Sequence, residues 1–200
     1  MAAGDDLREL LRARNEHPER LGEIDRAIRD RFTRTLSVLV LDMSGFSRLT
    51  QRYGIIHFLA MIERMQQLVL PVVTAPRHAG RLLKLEADNV YAVFPDAPLA
   101  VDAARDVQRR LDAANVVLPA DWDLHACIGI GHGDVLAVGD HEVYGNEMNL
   151  ASKLGEDVGC GGEILLTEAA YARLPAGEVQ AERLEATISE LQIAFYRLVS

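Results

Sequence analysis

Positive charge is in short supply in this 200-residue chain: 21 Lys and Arg stand against 30 Asp and Glu, a formal charge of −9. That argues against non-specific binding to DNA or RNA, which needs net positive faces. It leaves open a nucleotide held through metal ions, which need carboxylates. No stretch of about 18 apolar residues occurs, so no membrane span is expected. The opening MAAGDDLREL has neither the basic start nor the apolar run of a signal peptide. Cysteine is limited to Cys127 and Cys160, which make neither a disulfide framework nor a zinc pattern. These shortages point to a soluble, cytoplasmic protein with neither nucleic acid nor membrane as partner. Hydrophobic content, at 49%, is ordinary, so a buried core can form within one domain carrying at most a short appendage.

Residues 1–34 differ from the rest. They are rich in Arg, Glu and Asp, with Leu7, Leu10, Leu11, Leu21, Ile24 and Ile28 at helical spacing. Two amphipathic helices are expected, the second with Pro18 in its first turn. They suit either a lid packed on the domain or an arm for dimerisation or signal transmission. The domain proper then spans 35–200. Leu36 to Leu41 is a compact β run ending at Asp42. A helix from about Arg48 breaks at Gly54, and a longer one runs from Ile55 to Val73. Arg81–Glu86 and Val90–Phe94 form a tight hairpin, and Leu99–Ala114 a helix. A second hairpin is expected around His132-Gly133-Asp134, joining strands 123–131 and 135–138. A helix from about Glu147 to Gly155, a strand 164–166, a brief helix capped by Thr167 and strands 179–184 and 193–198 complete the chain. Strand–helix–hairpin–helix–strand is the order of a ferredoxin-like α+β sandwich, here with extra C-terminal elements and an N-terminal helical extension.

Three stretches carry chemistry. In Asp42-Met43-Ser44-Gly45-Phe46-Ser47 an Asp ends an apolar strand and a Gly turn opens a helix. Free N–H groups at such a helix start suit a phosphate, and the carboxylate suits a cation bridging to it. Alone, the same residues also suit a plain turn. In Lys84-Leu85-Glu86-Ala87-Asp88-Asn89, Asp88 sits at a hairpin tip, where Asp is also favoured for backbone reasons. If the first strand lies beside this hairpin, Asp42 and Asp88 meet at one sheet edge, where two carboxylates can bridge a pair of divalent cations. Lys84 is on an inward phase, which demands a polar partner or ligand. In Glu142 to Lys153, Asn149 and Lys153 are four apart and share a helix face, suited to a sugar and a phosphate or simply to solvent.

Together these stretches resemble the class III nucleotidyl cyclase catalytic domain, over about residues 36–198. The first segment is similar to that family's first metal-binding segment. Lys84-Leu85-Glu86-Ala87-Asp88 resembles its Lys-x-x-Gly-Asp, with Ala87 in place of Gly. Ile128-Gly129-Ile130-Gly131-His132-Gly133 resembles its Gly-Ile-His-x-Gly hairpin, and Tyr144-Gly145-Asn146-Glu147-Met148-Asn149-Leu150-Ala151-Ser152 its aromatic-Gly-Asn/Asp-x-x-Asn-x-Ala-Ser. The resemblance implies that Asp42 and Asp88 hold two Mg²⁺ or Mn²⁺ ions, with Ser44, Gly45 and Phe46 beside the phosphates. It implies that Lys84 and Glu142 read the base, favouring ATP over GTP, and that Asn149 orients the ribose. It also implies a homodimer with sites shared between chains, making 3′,5′-cyclic AMP and pyrophosphate. Two departures stand out. Lys153 occupies a position that is usually Arg, and the family's C-terminal Leu-Lys-Gly segment is not recognisable around Arg183. They point to slow turnover, or to a degenerate relative acting as a regulatory nucleotide- or metal-binding dimer.

Overall fold

The computed structural model describes residues 3–119, 122–188 and 191–199, without the side chains of 46–49 and 191. Helices α1 (Ala3–Glu16) and α2 (Leu21–Phe32) form the expected N-terminal pair. They bury Leu7, Ile24, Ile28 and Phe32 against Val138. Helix α2 runs directly into strand β1 (Thr33–Met43). Next come α3 (Phe46–Tyr53), α4 (Ile55–Val73), β2 (Arg81–Glu86), β3 (Asn89–Phe94) and α5 (Ala97–Asn115). Then follow β4 (Ala126–Val138), β5 (Glu142–Tyr144), α6 (Asn146–Ser152), a π-helical turn (Lys153–Val158), β6 (Ile164–Thr167), α7 (Glu168–Tyr171), β7 (Ala181–Ile188) and β8 (Leu191–Leu198).

The eight-stranded sheet has the order β2-β3-β1-β4-β6-β8-β7, with β5 hydrogen-bonded to β4. Its first four strands, all antiparallel neighbours, are the ferredoxin-like core. Alternation along β1 divides the molecule. Leu39, Leu41 and Met43 face the core under α4 and α5, with Phe58, Met65, Phe94 and Leu111. Val38 and Val40 face the other way, with Leu83, Tyr91, Val135 and Ala151. Helix α4 is long and apolar enough to cross a membrane, contrary to the reading that no such stretch exists. One face of it is core: Phe58, Met61, Met65, Val69 and Val73 are buried.

The hairpin expected at 132–134 does not form. β4 is one continuous strand through those residues. Its glycines at 129, 131 and 133 are two apart, so they line one face, and α6 lies on it. A Cβ at Gly129 would stand 2.1 Å from the Ala151 carbonyl oxygen, and one at Gly131 2.5 Å from that of Glu147. Gly129 and Gly131 allow backbone to approach backbone, and Gly133 leaves room for the Glu147 side chain; none of them makes a turn.

Candidate functional site

The register of β1 on β3 brings the two aspartates together. Leu41 faces Val90, so Asp42 lies beside Asn89 and the hairpin tip that carries Asp88. The tip is tight enough to hold Ala87 at φ +51°, a left-handed conformation that suits glycine. Burial, and next the charge of Asp88, then of Glu156 and Asp157, push the Asp42 carboxyl up to about 7. Asp42 is half-buried and makes no ion pair among the described residues. Carboxylate oxygens are the donors that divalent cations take, and among the described residues no group of three His, Cys, Asp or Glu side chains is gathered to hold a metal ion. The Ser44–Gly45 turn follows: the Ser44 N–H donates to the His125 carbonyl (2.8 Å), and Gly45 (φ +98°) opens α3. The side chain of Phe46 lies outside the described residues.

Lys84 and Glu142 line one cavity of about 440 Å³, together with Tyr91, His141, Ser152 and Glu156. Lys84 is not in the core. A bulge at Leu83 shifts the β2 register, so Leu83 takes the buried place and Lys84 pairs with Tyr91 at the open edge of the sheet. Its ammonium meets Glu86 and sits 4.3 Å from the Tyr91 ring centroid. Glu142 accepts from the Tyr144 hydroxyl at 3.2 Å. It also lines a crevice against Leu7, Arg8 and Leu11 of α1, so the N-terminal helices flank this pocket.

Asn149 and Lys153 are not among the residues lining that cavity; Met148, Ser152 and Glu156 are. The α-helix ends at Ser152 and a wider π-helical turn begins at Lys153; the Lys153 N–H still donates to the Asn149 carbonyl, so these two residues keep the shared helix face expected of them. The turn also brings Glu156 toward Asp42. The Tyr91 hydroxyl donates to Glu156 at 2.9 Å and accepts from the Asn89 amide at 3.3 Å. Burial pushes the Tyr91 hydroxyl up to about 12, so it stays a donor. Helix α6 is anchored by Glu147, which accepts from the His132 backbone N–H (3.0 Å) and the Thr167 hydroxyl (2.7 Å). Arg183 lies elsewhere, bound to Glu185 and Glu168. Tyr91, Ser152 and Glu156 were missed by the sequence reading. The spacing of Met148, Ser152 and Glu156, four residues apart, was the available signal.

No protein-family profile matches the chain. It is 31% identical over 121 residues to "Putative adenylate cyclase 3" of Rhizobium meliloti (strain 1021), covering 60% of this chain and 20% of that protein. It is 30% identical over 147 residues to serine/threonine-protein kinase pkn2 of Myxococcus xanthus, covering 74% of this chain and 17% of that one. The chain thus spans about a fifth of the length of these curated relatives. Among solved structures it superposes on the catalytic core of a rhodopsin-guanylyl cyclase with converted specificity in complex with ATPαS (TM-score 0.69, 17% identity, 84% of this chain, 98% of that one). It also superposes on the adenylate/guanylate cyclase/hydrolase from Silicibacter pomeroyi (0.69, 21%, 84% and 98%). A third is the adenylyl cyclase CyaB from P. aeruginosa (0.68, 20%, 84% and 95%).

Proposed function

We propose, from the premise that this chain has the fold of class III adenylate/guanylate cyclase catalytic domains, that it converts a nucleoside triphosphate, ATP by preference, into the 3′,5′-cyclic nucleotide and pyrophosphate. The observation that carries this reading is the approach of Asp42 and Asp88 at one sheet edge, without a cationic partner among the described residues. Asp42 and Asp88 would hold two Mg²⁺ or Mn²⁺ ions. Bound there, the ions supply activation of the ribose 3′-hydroxyl and neutralisation of charge on the triphosphate. Lys84 and Glu142 share one cavity, where the ammonium donates to a ring nitrogen and the carboxylate accepts from an exocyclic amine. Asn149 orients the ribose, and Lys153 supplies a cation to the α-phosphate. Asp42 and Asp88 do not line the Lys84–Glu142 cavity of the same chain. That separation supports a homodimer in which each site draws on two chains.

The test is incubation of purified protein with each nucleoside triphosphate and Mn²⁺ or Mg²⁺, with cyclic product read by mass spectrometry. Cyclic AMP above cyclic GMP is expected; no cyclic product from any nucleotide overturns the enzymatic reading. Mixing Asp42→Ala with Asn149→Ala protein should restore product, and failure with heterodimers shown to form would overturn the shared site. A second reading, a regulatory nucleotide-binding dimer, is favoured by Lys153 in place of Arg and by the engagement of Arg183 with two glutamates. It predicts metal-dependent ATP binding without product.

A further inference from the structure

The sheet leaves a gap beside the start of β1. Strand β3 ends at Phe94, opposite Ser37, whereas β4 continues as far as Leu136, opposite Thr33. Residues 33–36 therefore have a strand on one side only. The end of α2 and the start of β2 close around the gap, leaving a cavity of about 490 Å³. Three arginines line it: Arg31 from α2, Arg34 from β1 and Arg81 from β2. The remaining wall is mainly apolar, with Phe32, Leu36 and Ala137. No acidic side chain lines it, in a chain with a formal charge of −9.

The hydrogen bonding of these arginines is the second observation. Arg31 pairs with a carboxylate, that of Asp6. Arg34 and Arg81 do not: each donates to a backbone carbonyl, that of Thr33 (2.6 Å) and that of Asp140 respectively. Neither has a carboxylate partner among the described residues. A guanidinium has five N–H donors, so most of this capacity is unused, and its fork geometry matches phosphate oxygens. We propose that this cavity is an anion site, distinct from the Asp42–Asp88 edge, which takes a small phosphate monoester whose ring lies against Phe32, Leu36 and Ala137. Arg34 and Arg81 clamp the phosphate from two strands, and Arg31 joins them from α2. A ligand there ties the N-terminal helices to the sheet.

The probe is phenyl phosphate, titrated by calorimetry and by NMR chemical-shift perturbation into Asp42→Ala protein, which removes metal-dependent nucleotide binding as a confounder. Shifts are expected at residues 33–36, 81 and 137. The double variant Arg34→Gln, Arg81→Gln, in the same background, should bind at least about tenfold more weakly, the loss of charge-assisted hydrogen bonds. Inorganic phosphate should bind more weakly than phenyl phosphate, and phenol should not compete. The proposal is overturned if the double variant, folded as judged by its NMR spectrum, binds phenyl phosphate as the parent does. It is equally overturned if the parent shows no shifts at 33–36, or if shifts cluster only around Lys84 and Asp88.

Discussion

Adding one methyl group at Gly129 tests how α6 is seated. The Cβ of Gly129→Ala would stand 2.1 Å from the Ala151 carbonyl oxygen and 2.7 Å from the Gly155 nitrogen, whereas ordinary contact begins at 3.4 Å. Both obstacles are backbone atoms, so no rotamer change relieves them. The helix must retreat by more than 1 Å (the 3.4 Å contact against 2.1 Å), or β4 must bend. Retreat pulls on Glu147, which ties α6 to His132 and Thr167, and on the buried Ala151 and Leu154. The cost belongs at the upper end of overpacking, about 3 kcal/mol. For a chain of this size that is a fall in melting temperature of roughly 6–12 °C. Asn149 and Lys153 move with the helix, and a displacement of about 1 Å at a reacting group costs on the order of 10²-fold in rate. The same substitution at Gly22, in the first turn of α2 with nothing within 4 Å of its added Cβ, should do the reverse and stabilise by at most about 1 kcal/mol. Thermal melts followed by circular dichroism read both. A Gly129→Ala protein that melts within about 2 °C of the parent and keeps its activity refutes the seating of α6 on the glycine stripe.

Ala87→Gly should raise the melting temperature, because the left-handed φ costs alanine roughly 1 kcal/mol; a lower melt would contradict the strain. Without metal, the raised Asp42 carboxyl keeps its proton in the folded chain after the unfolded chain has lost it. Its contribution to stability is therefore full in acid and is lost as pH rises toward about 7. Melts of metal-free protein should fall from acid to alkaline pH, Mg²⁺ should restore stability more at alkaline than at acid pH, and Asp42→Asn should flatten both trends. Lys153→Arg should raise kcat more than KM, by about tenfold, since a planar fork holds two phosphate oxygens where lysine offers a point charge. A slower Lys153→Arg enzyme would mean that lysine is the adapted residue.

Most of the fold could be read because its signals are local. The apolar run 36–41 and the short hairpin 86–89 fix the ferredoxin-like order, and β1–β3 pairing then brings Asp42 to Asp88. The errors arose where a residue's meaning depends on its neighbour in space. Gly133 suggests a turn, yet with Gly129 and Gly131 it serves a helix that presses on them. Lys84 was assigned by alternation, and one bulge residue, Leu83, altered the phase. Glu156 follows Met148 and Ser152 at intervals of four, but only the π-helical turn shows that it reaches Tyr91 and approaches Asp42. Ala87 shows a sequence departing from a backbone preference that the fold nevertheless keeps.

The proposed activity rests on Asp42 and Asp88 acting as one metal site. The most direct measurement is Mn²⁺ binding in the presence of a non-hydrolysable ATP analogue, followed by electron paramagnetic resonance, for the parent and for Asp42→Asn and Asp88→Asn. The account predicts tight, nucleotide-dependent Mn²⁺ in the parent and its loss in each variant, with the fold kept in both. Parent-like Mn²⁺ affinity in either variant would contradict it.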